Sequence, residues 1–216
     1  MGNVLQEIAS NLYDGEDKGV AGLVRNALDS DIDPQEILSA GLIAGMDKVG
    51  KDFKAGVLYV PEVLQTARAM NAGMEILRPF LVQGDSGFSV DKCIIGTVKG
   101  DLHDIGKNLV KMLLEGAGYE IVDLGTDVGS EAFVDSIRQH QPKLLGLSAM
   151  LTTTMVYMKS TIEAITASGL RDSVKIMIGG APVTAEFAKQ IGADAYASDA
   201  ASAVEVARTL VASATN

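Results

Sequence analysis

Cysteine is nearly absent from this chain. Cys93 stands alone among 216 residues, so no internal disulfide can form and a reducing, cytoplasmic setting is expected. Basic charge is scarce too: 18 Lys and Arg face 28 Asp and Glu, a net charge of −10 that repels nucleic acid. No apolar stretch approaches the ~20 residues that span a bilayer. The opening segment, Met1 to Gly19, has no basic n-region and no apolar h-region, so no secretion signal is expected. Neither a membrane nor a nucleic acid is an expected partner. What remains is an ordinary globular balance, 47% hydrophobic and 21% charged, long enough for one large domain or two small ones.

The pattern changes character near residue 85. Before it the apolar spacing is helical: Leu5, Ile8 and Leu12 share one face, then Val20, Leu23, Val24, Ala27 and Leu28 another. Asp33-Pro34-Gln35-Glu36 reads as a helix start, with Asp33 as N-cap and proline in the first turn. That helix would bury Leu42, Met46, Val49 and Phe53. A fourth, from about Pro61, would carry Val60, Val63, Leu64, Ala67, Met70, Met74 and Leu77 towards a core. These four short helices read as a bundle, residues 1–88. Gln83 to Gly87 reads as a glycine-bearing linker.

Residues 89–216 alternate between short apolar strands and helical stretches. Strands are expected at 92–98, 120–124, 144–148, 175–178 and 193–197, and helices at 105–117, 130–140, 154–168, 184–191 and 200–212. Five β-α units imply an α/β fold, a flavodoxin-like (Rossmann-type) parallel sheet of order 2-1-3-4-5. Ligands of such sheets bind outside the carboxyl ends of the strands, where strand order reverses, here between strands 1 and 3. The loop after strand 1 is Lys99-Gly100-Asp101-Leu102-His103-Asp104-Ile105-Gly106. The loop after strand 3 carries Met150, Thr152 and Thr154, and strand 4 ends in Gly179-Gly180-Ala181. Their convergence marks one crevice.

His103 has Asp101 two residues before it, and a metal-bound imidazole commonly donates its second N–H to a carboxylate. Yet one histidine makes no zinc site, and neither His140 nor Cys93 has ligand spacing. A metal at His103 would need its remaining ligands from a cofactor. Asp104 reads first as N-cap of the helix at 105, and the threonine run as a loop capping the helix at 154.

Asp101-x-His103-x-x-Gly106 is followed after 41 residues by Ser148-Ala149-Met150, and after 28 more by Gly179-Gly180. This resembles the cobalamin-binding fingerprint Asp-x-His-x-x-Gly, Ser-x-Leu, Gly-Gly, with methionine in the leucine place. Gly45-Met46-Asp47-Lys48-Val49-Gly50, Phe53 and Tyr59-Val60-Pro61-Glu62-Val63-Leu64 look like the helical cap of methyl-carrying corrinoid proteins. Together they cover nearly the whole chain. They resemble the small carriers of methanol, methylamine and methoxy-aromatic methyltransferase systems, and the cobalamin-binding region of methionine synthase.

The resemblance implies a cobalamin or other corrinoid cofactor (as methylcobalamin in its loaded form) with His103 on cobalt. It implies a relay through Asp101 to a hydroxyl, Thr154 by position. It places Gly100, Asp104, Ile105 and Gly106 against the cofactor. Ser148, Met150 and Thr152 would meet the displaced nucleotide tail. Gly179, Gly180 and Ala181 would leave it room, and Tyr196 and Ala200 would line its far end. Tyr59, Val60 and Leu64 would cover the methyl face and swing away about the Gln83–Gly87 linker. The function so implied is a methyl carrier. It would serve a substrate-specific methyltransferase and a second one passing the methyl group to tetrahydrofolate or a thiol, with a reductive activase for oxidised cobalt. A cobalamin-binding mutase subunit and a B12-dependent sensor remain alternatives.

Overall fold

A computed structural model describes residues 2–83 and 91–213. Its contacts divide the chain into two compact units, Met1–Val90 with Glu115–Gly118, and Asp91–Leu114 with Tyr119–Asn216. Of the expected linker, Gln83 closes a helix, and residues 84–87 lie outside the described residues.

The first unit is helical. Helices α1 (Gly2–Tyr13) and α2 (Asp17–Asp29) bury Ile8, Leu12, Val20, Val24 and Ala27. Then α3 (Pro34–Glu36), a π-helical stretch (Ile37–Ile43) and α4 (Ala44–Lys54) run on as one rod. The Asp33 carboxylate accepts the Gln35 N–H at 2.9 Å and so caps its start. A reading at 3.6 residues per turn cannot register the wider π turn, which here buries Ile37, Leu38 and Leu42. The last helix, α5 (Val60–Gln83), is not short: it has 24 residues and continues through Pro79. Val60 does not reach a core as expected. It is 42% exposed beside Tyr59 at 66%, because both sit at the helix entrance, where the Glu62 carboxylate takes the Tyr59 N–H. Leu64 is half-buried, and Val63, Ala67, Met70 and Leu77 carry the packing.

The second unit is a five-stranded parallel sheet of order β2-β1-β3-β4-β5. The strands are β1 (Lys92–Thr97), β2 (Glu120–Asp123), β3 (Leu144–Ser148), β4 (Lys175–Gly179) and β5 (Ala195–Ala197). Between and after them lie α6 (Ile105–Gly116), α7 (Ser130–His140), α8 (Met155–Ala167), α9 (Ala185–Ile191) and α10 (Ala200–Ser213). β5 is two residues shorter than expected, since Asp194 turns its carboxylate back to cap the Ile176 N–H at 2.7 Å.

Alternation along the strands separates the two faces. Ile94, Leu145, Leu147, Ile176 and Ile178 pack with Phe133 of α7, Met158 and Ile162 of α8 and Ile191 of α9. Cys93, Leu144, Met177 and Ala197 face the other way, onto Leu114 of α6 and Ala203 and Ala207 of α10. Cys93 is wholly buried, and burial pushes its thiol pKa up to about 12, which keeps it protonated and inert. The second face is the one that carries the site.

Candidate functional site

The loop leaving β1 turns on Gly100, whose φ of +78° favours glycine, and then buries Asp101 completely. Asp101 Oδ2 accepts the Met150 N–H at 2.7 Å and the Leu151 N–H at 3.2 Å. The Thr154 hydroxyl lies 2.7 Å from the same oxygen and 2.9 Å from the Leu151 carbonyl. Oδ1 accepts the His103 N–H at 3.1 Å and lies 2.7 Å from His103 Nδ1. Burial alone would raise the Asp101 pKa. The hydrogen bonds from Thr154, Met150 and His103 outweigh it and hold the carboxyl well below the usual carboxylate range.

An ionised carboxylate only accepts, so Nδ1 of His103 donates to Asp101, and Nε2 is the ring nitrogen without a part in that bond. The imidazole is 55% exposed. The structure thus assembles Asp101, His103 and Thr154 into one chain of hydrogen bonds that ends in a half-exposed imidazole. Thr154 precedes α8 without capping it, its hydroxyl being turned inward. Asp104 likewise does not cap α6 as expected. Its carboxylate accepts from the Asn108 side-chain amide at 3.0 Å.

Around the imidazole stands an apolar rim. Leu102 is 74% exposed and Ile105 84%, with Met150 and Leu151 nearly half exposed. Such exposed apolar patches mark binding surfaces. Beside it opens a cavity of about 620 Å³. Its lining includes His103, Asp104, Ile105, Gly106, Ser148, Met150, Gly179, Gly180, Ala181 and Ala200, as expected from the sequence. It also includes Val110 of α6, Gly146 of β3, Met177 of β4 and Ala203 of α10, which sequence reasoning missed. Strand period would have found two of them: Gly146 and Met177 share the face of Ser148 and Gly179.

Three expected residues are placed elsewhere. Thr152 is exposed on its loop and does not line the cavity. Gly100 is not in the lining either, and its part is the turn that sinks Asp101. Tyr196 follows the opposite strand parity from Ala197 and packs against the α7–α8–α9 core, away from the cavity. Gly180 needs a correction of role. A Cβ there would overlap the Ala149 carbonyl oxygen, and its φ is +132°, so the backbone itself demands glycine. Cavity space is left instead by Gly146, where a Cβ would make only ordinary contact with Ile95 at 3.4 Å.

Two ion pairs flank the loop. Lys107, almost wholly buried, places Nζ 2.7 and 2.8 Å from the two oxygens of Asp123 and 2.8 Å from Asn108 Oδ1. Burial would raise the Asp123 pKa, but the Lys107 hydrogen bond and charge lower it. Lys111 joins at 3.4 Å.

Among the described residues no group of three or more His, Cys, Asp or Glu could hold a metal ion. His103 therefore fits a metal that arrives already ringed by its own ligands. An exposed apolar rim and an adjoining cavity of about 620 Å³ fit a macrocycle with an appended tail. Comparison with known proteins agrees. A B12 binding domain model matches residues 91–206, and a second B12 binding domain model matches residues 4–78.

The chain belongs to the B12-binding corrinoid proteins.

It is 41% identical to a dimethylamine corrinoid protein of Methanosarcina barkeri, over 97% of this chain and 98% of that one. It is 39% identical to a trimethylamine corrinoid protein of Methanosarcina acetivorans, over 96% and 97%. A solved cobalamin-binding protein of Desulfitobacterium hafniense superposes with a TM-score of 0.78 at 31% identity, covering 95% of this chain and 98% of that one. A chain of the methanol:cobalamin methyltransferase complex of M. barkeri superposes with a TM-score of 0.85 at 30% identity, covering 97% and 80%.

Proposed function

We propose that His103 would hold the cobalt of a corrinoid, and that this corrinoid protein carries a methyl group between methyltransferases. One observation carries the ligand assignment: the buried Asp101 carboxylate engages Nδ1 of a half-exposed imidazole, so Nε2 is the ring nitrogen left for a metal. When bound, the corrinoid supplies a cobalt that accepts and gives up a methyl group. The chain's residues do the rest. Asp101 fixes the tautomer and raises the basicity of the ligand, and Thr154 holds the far oxygen of that carboxylate. Leu102, Ile105 and Met150 offer apolar support around the imidazole. The cavity beneath α6 and α10 takes the nucleotide tail, with Gly146 as its floor.

The relatives' names support the carrier role: they are corrinoid proteins of dimethylamine and trimethylamine, and one structural relative is part of a methanol methyltransferase complex. A methyl-donor-specific methyltransferase is the first partner. A second methyltransferase, acting on tetrahydrofolate or a thiol, and a reductive activase complete the cycle. No helix among the described residues is long and apolar enough to cross a membrane. The cytoplasm, where such enzymes meet, is its proposed site of action.

Corrinoid-loaded protein, mixed with a cognate methyltransferase and a panel of methanol, methylamines and methoxy-aromatics, tests the reading. Methyl transfer from one donor class is expected. Tight corrinoid binding with no transfer from any donor would turn the assignment towards the mutase subunit or the sensor.

A further inference from the structure

Within the histidine relay Asp101 Oδ1 takes the His103 backbone N–H, but the Gly100–Asp101 backbone is itself braced from outside. The loop after β2 does this. Asp127 Oδ1 accepts the Gly100 N–H at 2.6 Å, and the Asp127 N–H donates to the Asp101 carbonyl at 3.0 Å. These bonds grip the Lys99–Gly100 and Asp101–Leu102 peptide groups, one on either side of the Gly100–Asp101 segment. Asp127 adopts a φ of +55°, a left-handed conformation that aspartate and asparagine tolerate better than other residues with a Cβ. A further strap lies next to it: Thr97 N–H donates to the Gly125 carbonyl, Val128 N–H donates to the Thr97 carbonyl, and the Thr97 hydroxyl donates to the His103 carbonyl at 2.9 Å.

We propose that Asp127 is a positioning residue for His103, acting through the Gly100–Asp101 backbone to hold the imidazole where cobalt can be ligated. This rests on the reading of His103 as the axial ligand. Asp101 can orient the ring only if its own carboxylate is fixed; the Met150 and Leu151 N–H groups and the Thr154 hydroxyl fix the carboxylate end, and the Asp101 N–H donates to the Val98 carbonyl at 3.2 Å. The Cα end depends on the Gly100 turn, which is exposed and has φ of +78°. Asp127 closes that turn from outside.

The test uses the full-length chain loaded with cobalamin in its cobalt(II) form. Three variants are compared with the parent: Asp127→Gly, Asp127→Asn and His103→Ala. Glycine accepts the left-handed φ without strain and removes only the carboxylate. Asparagine keeps both the turn and an acceptor oxygen. The readout is nitrogen superhyperfine splitting from a protein imidazole, titrated against cobalamin lacking that ligation, with thermal unfolding of the cofactor-free chain as control. Asp127→Gly should lower the equilibrium constant for imidazole ligation by about tenfold, the low end for outer-shell partners of a metal ligand. Asp127→Asn should restore it to within about twofold, on the view that a neutral acceptor suffices for the Gly100 N–H. Full imidazole ligation in Asp127→Gly, or equal losses in both variants, would overturn the proposal. If His103→Ala keeps the parent splitting, the ligand assignment fails instead, and the two failures are thereby distinguished.

Discussion

Two regions of the sheet edge lie side by side and are built on opposite principles. Around Asp101, five hydrogen-bond donors converge on one buried carboxylate, and every one is directional. Beneath α6 and α10, glycine, alanine and methionine leave a cavity of about 620 Å³ with little polarity to orient anything. The first region orients one imidazole through directional bonds. The second offers mostly apolar volume, with Ser148, Ser198 and Asp199 among its lining. Ligand chemistry therefore resides in the loop and ligand capacity in the strands, so substitutions in the two regions should separate ligation from binding.

The largest separation should come from Asp101→Ala. It leaves the Met150 and Leu151 N–H groups and the Thr154 hydroxyl without their buried acceptor, at a cost of about 3 kcal/mol in unfolding free energy. Imidazole ligation should be lost with it. Denaturant titration of the cofactor-free chain and cobalt(II) spectroscopy of the loaded chain measure the two effects. A stability change under about 1 kcal/mol would mean that the network is not the rigid element described.

Gly146→Leu should do the converse. Its side chain enters the cavity while the hydrogen-bonded loop is untouched, so cobalamin should bind at least about tenfold more weakly. Cobinamide, which has no nucleotide tail, should bind as before. Equal weakening of both ligands would show that the tail does not lie there.

A smaller effect is expected at the edge of the loop. Lys107→Met leaves the partly buried Asp123 carboxylate with only Lys111 as a cation and the Gly125 N–H as a donor, at about 2 kcal/mol. Equilibrium unfolding measures it, and an unchanged midpoint would make the pair dispensable.

Acid should weaken the first region before the second. Asp101 and Asp123 both have folded pKa values below the ordinary ~3.9. The stability they contribute is therefore present above about pH 4 and lost as pH falls below it towards the folded values. Asp101→Asn should flatten that acid limb in a stability-against-pH series, and an unaltered slope would remove Asp101 from the account.

How much of this was legible in the sequence follows the same division. The strand order, the helix-strand alternation and the pairing of Asp101 with His103 could be read because the signals are local: a period of two, a period of 3.6, a six-residue loop. Lys107 and Asp127 could not, since their partners lie 16 and 27 residues away and nothing local announces a salt bridge or a backbone brace. Gly180 lines the cavity as the sequence suggests, but its backbone also makes room for the Ala149 carbonyl, which the sequence does not show. A glycine in a sequence does not say which neighbour needs the space. The resemblance alone puts Tyr196 at the far end of the tail, and strand parity turns it to the other face.

The central claim is that the nitrogen on cobalt belongs to His103, and isotopic labelling tests it directly. The chain is produced with histidine carrying the heavy isotope of nitrogen, loaded with unlabelled cobalamin and reduced to cobalt(II). The account predicts that the superhyperfine triplet of each line becomes a doublet on labelling and vanishes in His103→Ala. A triplet that survives labelling would place the cofactor's own base on cobalt and contradict the account.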